Sequence, residues 1–328
     1  MSTDEHINKD LGPTVSAIVV TYFTGPLLSR AIEALREQPE VREILVVDNG
    51  NWDGVVADAV GPDDARTSVK VLTGHGNIGF AAACNLGAEH ATGEYLLFLN
   101  PDAVLPGGAI GQLLESAGSF ERPWMVGPKL INPDGTEQQG ARRNTLTPWR
   151  AFVEATQLYR FAPQHPYFRR FNLHTSPCPG EICPTPTISG ACFLLHADDY
   201  QAIGGMDAAY FLHVEDVDFC LRFAKAGGKV LYDPSVVVVH YKSSSRVSRF
   251  GVERRKIASI VRYFDAHFSR AYPKPFLWLV YSVLWLGFGV REALRFVGQA
   301  LSVFGLSTRR GAGAAGRAMS LSGKRASR

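Results

Sequence analysis

The chain has 328 residues, 46% of them hydrophobic, enough for a large core; its five irregularly spaced cysteines exclude a disulfide-stapled secreted fold. The formal net charge of +3 conceals an asymmetry: residues 1–240 hold 17 Lys/Arg and 28 Asp/Glu (net −11), and residues 241–328 hold 17 and 3 (net +14). A basic C-terminal arm on an acidic body is typical of proteins that meet nucleic acid or an anionic membrane surface.

The N-terminal part predicts a strand–helix–strand unit. Residues 1–12 are polar, so we expect a flexible start without a secretory signal and a protein that stays in the cytosol. Residues 15–21 and 41–47 are β-branched runs separated by helical spacing at 27–35. Such a unit gives a parallel pair, with Thr21 and Asp48 at the same sheet edge. Asp48 could accept hydrogen bonds from a base or ribose there, or simply form a turn before Gly50.

A glycine-rich segment follows the third predicted strand, 69–72, and precedes a predicted helix, 80–90. Residues 74–79 read Gly-His-Gly-Asn-Ile-Gly, which matches the dinucleotide fingerprint Gly-x-Gly-x-x-Gly. The match falls on the third strand rather than the first, and no acid closes a following strand at the usual interval. We expect the glycines and the helix N-terminus to approach an anionic nucleotide.

The central strand, 95–99, is a short apolar run that ends at Asn-Pro-Asp, residues 100–102. Asp102 therefore lies at a strand's C-terminal edge, which we expect to be exposed. Ligands bind at that edge in open α/β sheets, and a carboxylate there suits a hard divalent cation. Asp102 is a candidate metal ligand; the alternative is a polar turn.

After a predicted helix at 107–118, a segment at 123–130 leads to a turn at 132–135. Residues 142–186, which we call the insertion, are rich in Pro, Arg and aromatic residues and show no clear periodicity. Long loops of this kind are commonly functional, so we expect the insertion to contact the acceptor substrate. Its aromatic content argues against disorder. Cys178 and Cys183 are interpreted as loop thiols because no second Cys/His pair lies nearby.

A cluster of acids follows a predicted strand at 188–195, a helix at 197–203 and a Gly-Gly-Met-Asp turn. Glu215, Asp216 and Asp218 open a segment with helical spacing, where acids gain from the helix dipole. Three acids in four residues repel one another, so at least one should have a raised pKa and be prepared to accept a proton. The predicted strands at 229–232 and 236–240 end at His240, either a metal ligand or a solvated strand end.

Taken in order, the motifs resemble the family 2 glycosyltransferases, and most closely their bacterial rhamnosyltransferase-like branch, over about residues 15–246. The motifs are Val-Val-Thr-Tyr, Val-Val-Asp-Asn-Gly, Gly-Asn-Ile-Gly-Phe-Ala-Ala-Ala-Cys-Asn, Asn-Pro-Asp, Ile-Ser-Gly-Ala-Cys, Gly-Gly-Met-Asp and Glu-Asp-Val-Asp-Phe-Cys-Leu-Arg. The resemblance implies a GT-A fold, an α/β architecture with a mostly parallel central sheet flanked by helices. It also implies a sugar-nucleotide donor, a divalent metal (Mg²⁺ or Mn²⁺) and inversion at the anomeric carbon.

The resemblance also implies roles for individual residues. Asp216 would be the catalytic base, next to Glu215, and Asp102 and His240 would bind the metal. The residues implied to bind the nucleotide sugar are Thr21, Tyr22, Asp48, Asn49, Gly76, Asn77, Gly79, Asn85, Asn100 and Arg246, with Lys242 as a further phosphate partner. Phe23, Asn51-Trp52 and Asn100 depart from the family's usual residues, which leaves the donor's identity open.

The C-terminal region begins after Pro273 and Pro275 with fifteen uncharged residues, 276–290. This stretch is shorter than a spanning helix, and arginines flank it, so we predict an interfacial helix. A packing or dimerising helix, which would make the protein a homo-oligomer, is the alternative. We therefore divide the chain into a catalytic domain (13–272), an interfacial helical region (273–308) and a basic disordered tail (309–328).

The leading hypothesis is a peripheral enzyme at the cytoplasmic face of the plasma membrane that binds anionic lipid and no nucleic acid. It would extend a lipid-linked saccharide in cell-surface polysaccharide synthesis, with dTDP-rhamnose as a candidate donor. Two alternatives stay open: a nicotinamide-dependent oxidoreductase that uses the glycine-rich segment, and a non-catalytic membrane or nucleic-acid binding module.

Overall fold

The computed structural model describes residues 12–62, 65–163, 165–242 and 249–303. The strands are β1 (Val15–Thr21), β2 (Val41–Asp48), β3 (Ser68–Leu72), β4 (Tyr95–Leu99), β5 (Ala103–Val104), β6 (Trp124–Ile131), β7 (Arg142–Arg143), β8 (Cys183–Pro184), β9 (Thr187–Ile188), β10 (Cys192–His196) and β11 (Lys229–His240). The α-helices are α1 (Leu27–Arg36), α2 (Val55–Val60), α3 (Phe80–Glu89), α4 (Ala109–Gly118), α5 (Pro148–Thr156), α6 (Ala197–Ala202), α7 (Glu215–Lys225), α8 (Arg249–Phe268) and α9 (Lys274–Val303).

A mixed sheet forms the centre of the molecule. Its order over the described residues is β3-β2-β1-β4-β10-β6-β11-β5, and β8 also pairs with β11. The β3-β2-β1-β4 half is parallel, as is the β6–β11 pair, whereas β10 runs antiparallel to both β4 and β6. The predicted parallel pairing of the first two strands is confirmed, and Thr21 lies opposite Asp48 at their carboxyl ends.

Alternation along β1 places helices on both faces of the sheet. Val15, Ala17 and Val19 pack in one core cluster together with residues of α1 and α4, whereas Ile18 and Val20 pack in a second with residues of α3 and α7. Successive side chains of a strand point to opposite faces, so β1, which is buried at every position, must be covered on both sides. The result is a layer of helices on either face of the sheet.

Most predicted elements are confirmed within one or two residues, helices α2 and α8 were not predicted, and three predicted regions differ. The predicted strand at 188–195 is two strands, β9 and β10, separated by Ser189–Ala191. The two predicted strands at 229–240 are one strand, β11, with a register shift between Asp233 and Val237. The insertion, predicted without periodicity, contains α5, whose N-cap Thr147 precedes Pro148. Thr followed by Pro is a common helix start.

A third apolar cluster lies where the insertion meets α7, α8 and the start of α9. It contains Leu146, Tyr210, Val217, Tyr263 and Val280, all buried. The chain divides into two compact units, the first ending at Leu284 and the second beginning at Trp285. The first turns of α9 therefore belong to the packed body of the first unit.

Helix α9 is longer than the uncharged run predicts. By length and composition alone, its residues Lys274–Val297 could cross a membrane. Length therefore does not decide between a helix that spans a membrane and one that lies on its surface. The tail at 309–328 and residues 1–11 lie outside the described residues.

Candidate active site

Polar atoms without protein partners gather at the carboxyl ends of β1 and β2. Thr21 Oγ1 and Asn49 Oδ1 are buried and have no hydrogen-bond partner within the part of the chain that the structure describes. Asn49 uses its Nδ2 to donate to the carbonyl of Gly79, at 3.1 Å. A buried polar atom without a partner is costly, so these atoms are suited to receive groups from a ligand.

Asp48 forms the turn, one of the two roles that the sequence left open for it. Its Oδ1 accepts hydrogen bonds from the backbone N–H of Gly50 (3.0 Å) and from Nδ2 of Asn51 (2.6 Å), which is the expected turn. Next to it the ring of Phe23 contacts that of Trp52, with centroids 4.9 Å apart, and Trp52 is 58% exposed. An exposed aromatic face beside a carboxylate can stack on a nucleotide base.

The glycine-rich segment approaches the chain just before α7. A Cβ on Gly79 would lie 2.7 Å from the carbonyl oxygen of Phe211, and the N–H of Phe80 donates to that same oxygen at 2.8 Å. Asn77 Oδ1 accepts from the N–H of Gly79 at 3.1 Å. A Cβ added to Gly76 would meet no atom within 4 Å. The φ of Gly76, +64°, nevertheless favours glycine.

Asn85 links α3 to the Gly-Gly-Met-Asp turn. Its Oδ1 accepts from Tyr200 Oη (2.5 Å) and Met206 N (2.9 Å), and its Nδ2 donates to Met206 O (2.8 Å). Both polar atoms of this amide therefore bond to protein groups.

Asp102 and His240 meet at the end of β4. Asp102 is only 6% exposed, so the prediction that it lies on an exposed edge is wrong. His240 is also 6% exposed and is therefore not a solvated strand end. Asp102 Oδ1 lies 3.1 Å from His240 Nε2, and Asn100 Nδ2 lies 3.3 Å from the same nitrogen. Asp102 and His240 are 138 positions apart in the sequence, so no local sequence pattern reveals this contact.

The hydrogen bonds of Gln138 indicate which nitrogen of His240 carries the proton. Gln138 Nε2 donates to Asn132 Oδ1 (3.1 Å) and to the His240 carbonyl (2.9 Å), so its Oε1 faces His240 Nδ1 at 2.7 Å and accepts from it. A neutral ring then directs the Nε2 lone pair at the Asp102 carboxylate. Two electron-rich atoms 3.1 Å apart require a proton or a cation between them.

Asp216 lies at the start of α7 and is held by three donors. Its Oδ2 accepts from the guanidinium of Arg143, in a close ion pair, and from the N–H of Gly190 at 3.0 Å. Its Oδ1 accepts from the N–H of Val217 at 2.8 Å. Burial raises the pKa of Asp216, but the charge of Arg143 and these hydrogen bonds outweigh burial and lower it below its usual range.

Glu215 and Asp218 have different surroundings. Burial and the charge of Asp216 raise the pKa of Glu215, which confirms that one acid of the cluster has a raised pKa. The Oε2 of Glu215 is buried and has no hydrogen-bond partner among the described residues. Asp218 accepts hydrogen bonds from His267 Nε2 (2.6 Å) and Arg222 Nε (2.6 Å) and thereby joins α7 to α8.

The dipeptide Gly190-Ala191 joins the two sides of the site. The N–H of Gly190 donates to Asp216, and the carbonyl of Ala191 accepts from the N–H of Asn100 at 2.8 Å. This short segment precedes β10, which pairs with β4 through Cys192 and Leu99. The antiparallel register therefore brings the start of α7, with Asp216, and the Asn-Pro-Asp turn to one edge of the sheet.

Three residues with roles in this geometry were missed in the sequence: Gln138, Arg143 and Gly190. Gly190 lies within the Ile-Ser-Gly-Ala-Cys motif, which was the available signal, whereas neither Gln138 nor Arg143 belongs to a motif. Lys242 has a φ of +50° and donates from Nζ to the carbonyl of Gln139 at 2.9 Å. Arg246 lies outside the described residues.

The mixed sheet, with unpartnered polar atoms at the carboxyl ends of β1 and β2 and an acidic turn after β4, has the GT-A fold of nucleotide-diphospho-sugar transferases. Two solved structures share the fold. GalNAc-T7 with UDP, GalNAc and Mn²⁺ matches 80% of this chain and 49% of its own, with a TM-score of 0.57 and 15% identity. The mannosyltransferase PcManGT of Pyrobaculum calidifontis, in complex with GDP-Man and Mn²⁺, matches 89% and 81%, with a TM-score of 0.51 and 16% identity.

The chain belongs to glycosyl transferase family 2, whose family model matches residues 16–175. N-acetylglucosaminyl-diphospho-decaprenol L-rhamnosyltransferase of Mycobacterium tuberculosis (strain ATCC 25618 / H37Rv) is 32% identical over 245 residues, covering 70% of this chain and 76% of that protein. Rhamnosyltransferase WbbL of Escherichia coli (strain K12) is 24% identical over 262 residues, covering 76% and 92%. The protein is therefore a glycosyltransferase, and the oxidoreductase and non-catalytic alternatives are set aside.

Proposed function

We propose that the protein is an inverting, metal-dependent glycosyltransferase that transfers a sugar from a nucleoside diphosphate to a hydroxyl of a lipid-linked saccharide. L-Rhamnose from dTDP-rhamnose is the donor we favour, because both relatives described above are rhamnosyltransferases by name. A sugar-diphospho-polyprenol is the acceptor we favour, because the name of the mycobacterial relative specifies one. The product would contribute to cell-surface polysaccharide.

One observation carries the proposal: Gly190-Ala191 holds Asp216 and the Asn-Pro-Asp turn at one edge of the sheet. In an inverting transfer, a carboxylate accepts the proton of the acceptor hydroxyl while that oxygen bonds to the anomeric carbon. The bond from that carbon to the diphosphate oxygen breaks, and the nucleoside diphosphate leaves with the electron pair. Asp216 is the base in this proposal; the lowered pKa keeps it ionised at neutral pH.

Glu215 has a different part in this proposal. Its raised pKa keeps a proton on the carboxyl near neutral pH, so it can donate a hydrogen bond rather than accept a proton. A neutral Glu215 also avoids placing a second negative charge beside Asp216, which helps Asp216 to remain ionised.

Asp102 and His240 are the residues that would hold the metal. Their converging oxygen and nitrogen, with Gln138 fixing the far side of the imidazole, fit a divalent cation. Within the described residues no group of three or more His, Cys, Asp or Glu side chains could hold a metal, so diphosphate oxygens would complete the coordination. A bound Mg²⁺ or Mn²⁺ would neutralise the charge that develops on the leaving diphosphate.

The donor nucleotide would lie against β1 and β2. Thr21, Asp48 and Asn49 offer polar atoms at this edge, and Tyr22, Phe23 and Trp52 offer ring faces. Phe23 and Trp52 depart from the family's usual residues, so we propose that these aromatic side chains select the nucleobase of the donor.

We place the enzyme at the cytoplasmic face of the plasma membrane, as a peripheral protein bound to anionic lipid. Residues 241–328 carry 17 basic and 3 acidic side chains. Helix α9 exposes large apolar side chains: Trp278, Leu279, Trp285, Leu286, Val290, Leu294, Phe296 and Val297. Charge attraction and apolar burial together give stable binding, whereas either alone is reversible.

A thermal-shift panel of sugar nucleotides, with and without Mn²⁺, tests the donor assignment, because a ligand that binds the native state raises stability. We expect a dTDP-sugar plus Mn²⁺ to raise Tm and NAD to have no effect. Transfer to a short-chain N-acetylglucosaminyl-diphospho-prenol, abolished by EDTA, would support the reaction. Failure of every sugar nucleotide to shift Tm in Mn²⁺ would contradict it.

A further inference from the structure

Building on the proposed function, we propose that Arg143 and Lys256 form a binding site for the diphosphate of the acceptor, separate from the metal edge that would receive the donor diphosphate. Arg143 belongs to the insertion, in β7, and Lys256 to α8. The site would select a sugar linked through a diphosphate over the same sugar linked as a simple glycoside.

Arg143 has the capacity to bind a further anion. Its side chain is 12% exposed, and its Nη2 already contacts the carboxylate of Asp216 and the carbonyl of Ile188, at 2.9 Å for the latter. Its Nε is buried and has no hydrogen-bond partner within the described part of the chain. The guanidinium also lies over the ring of Phe171, 5.6 Å from the centroid, which fixes its plane. An arginine so fixed, with a donor to spare, suits a phosphate.

Contacts of α8 with the turn before Asp216 place Lys256 on the same side as Arg143. Ser259 Oγ donates to the carbonyl of Leu212 at 3.5 Å, and the guanidinium of Arg255 lies 4.2 Å from the centroid of the Phe211 ring. Lys256 lies between these two residues of α8, and Arg143 reaches the same turn through its ion pair with Asp216. Burial lowers the pKa of His213 to about 4; Lys256 and Arg143 lower it too, and Asp216 and Glu253 oppose them. His213 and Val214 both have positive φ values, 69° and 75°. Non-glycine residues in this conformation are uncommon and cluster at functional sites. Two cations, one belonging to the insertion and one to α8, thus border the strained turn that carries Asp216.

The position of Arg143 favours the acceptor over the donor as the source of the phosphate. Arg143 bonds directly to Asp216, the proposed base, rather than to Asp102 or His240. The reacting hydroxyl of the acceptor must lie against Asp216, and its own diphosphate lies one sugar ring away. A cation bonded to the base is therefore within reach of that group, whereas the donor diphosphate lies on the metal side of the anomeric carbon.

Binding of the acceptor would also change the state of the base. A diphosphate carries more negative charge than one carboxylate, so it competes with Asp216 for Arg143. A diphosphate bound to the spare donor of Arg143 would weaken the ion pair between Arg143 and Asp216, so Asp216 would accept the acceptor's proton more readily. The base would then be more reactive towards a diphosphate-linked acceptor than towards the matching glycoside.

The test compares two acceptors in the full-length protein with Mn²⁺: a short-chain N-acetylglucosaminyl-diphospho-prenol and the matching N-acetylglucosaminyl prenyl glycoside. We expect Lys256→Ala to reduce the ratio of kcat/KM for the diphosphate acceptor to that for the glycoside by about tenfold, since charge-assisted hydrogen bonds are lost only with the former. Arg254→Ala, which removes another exposed cation from the same helix, should leave that ratio unchanged.

Lys256→Gln serves as a second neutral variant should the alanine variant be unstable. An unchanged ratio in a folded Lys256 variant would overturn the inference while leaving the proposed function intact. Weaker binding of dTDP in Mn²⁺ to Lys256→Ala, by the same factor as the loss of transfer, would assign the cations to the donor and overturn it too. Failure of the wild-type enzyme to transfer to either acceptor would instead overturn the proposed function.

Discussion

A Cβ on Gly190 would lie 3.1 Å from the Cβ of Asp216, and the Gly190 N–H donates to Asp216 Oδ2 at 3.0 Å. A methyl group at residue 190 would therefore displace Asp216 by a few tenths of an ångström. We expect Gly190→Ala to lower kcat about tenfold to a hundredfold, because small errors in the position of a base are costly. Calorimetry should show unchanged donor affinity. Gly118→Ala, whose Cβ would meet nothing within 4 Å, is the control.

Variants of the two acids at the start of α7, Glu215 and Asp216, distinguish donor binding from catalysis. Asp216→Asn retains the shape of the side chain but removes its basicity, so transfer should fall on the order of a hundredfold or more with donor affinity nearly intact. Steady-state kinetics of Asp216→Asn and Glu215→Gln, measured side by side, test the assignment. A larger loss in Glu215→Gln would make Glu215 the base.

The raised pKa of Glu215 also predicts how stability depends on pH. Between the ordinary pKa of a glutamate, about 4.3, and the raised value, the folded chain holds a proton that the unfolded chain has lost. The contribution of Glu215 to the free energy of unfolding is therefore largest at low pH, and it decreases as the pH rises through that range. Glu215→Gln, which mimics the protonated acid, should be more stable than wild type at pH 8 by on the order of 1 kcal/mol, with little difference at pH 4. Thermal unfolding at the two pH values measures this; equal effects at both would contradict it.

Removal of one proposed metal ligand should uncouple the donor from the metal. Asp102→Asn retains the size of this buried side chain, so the fold should survive, but the carboxylate charge is lost. We expect the affinity for dTDP in Mn²⁺ to fall about tenfold or more, and the affinity without metal to change little. Titration calorimetry with and without Mn²⁺ provides the comparison, and an unchanged affinity in Mn²⁺ would exclude Asp102 from the site.

The packing of α9 determines where the chain can be shortened. Val280 is fully buried and Phe276 contacts the ring of Trp149, so a truncation after Lys274 should destabilise the body. A truncation after Leu284 keeps the first compact unit and should give a folded enzyme that binds donor and hydrolyses it slowly. We expect this shorter protein to lose binding to anionic liposomes and to transfer poorly to a polyprenyl-linked acceptor, but to retain most transfer to a short-chain one. If the full-length protein does not bind anionic liposomes at low salt, the membrane assignment is contradicted.

Local sequence patterns predicted the strands and helices better than the contacts among the residues of the candidate active site. The run at 95–99 and the Thr21–Asp48 register follow from periodicity and from the geometry of parallel strands, both short-range properties of the chain. The partners of the site residues are far apart in sequence: Arg143 and Asp216 are 73 positions apart, and His240 and Gln138 are 102. No spacing rule links such pairs. For the same reason Asp102 was expected to be exposed.

The close approach of Gly79 to Phe211 has a consequence for engineering. The glycine-rich segment borders the proposed donor pocket, whereas Phe211 precedes the helix that carries Asp216, and a Cβ at residue 79 would meet the Phe211 carbonyl at 2.7 Å. The segment beside the proposed donor pocket and the segment that leads to the proposed base therefore meet at one close backbone contact. A chimaera that takes residues 74–79 from another glycosyltransferase should therefore also take the turn at 211–214 that precedes α7, so that the contact between the two segments is preserved.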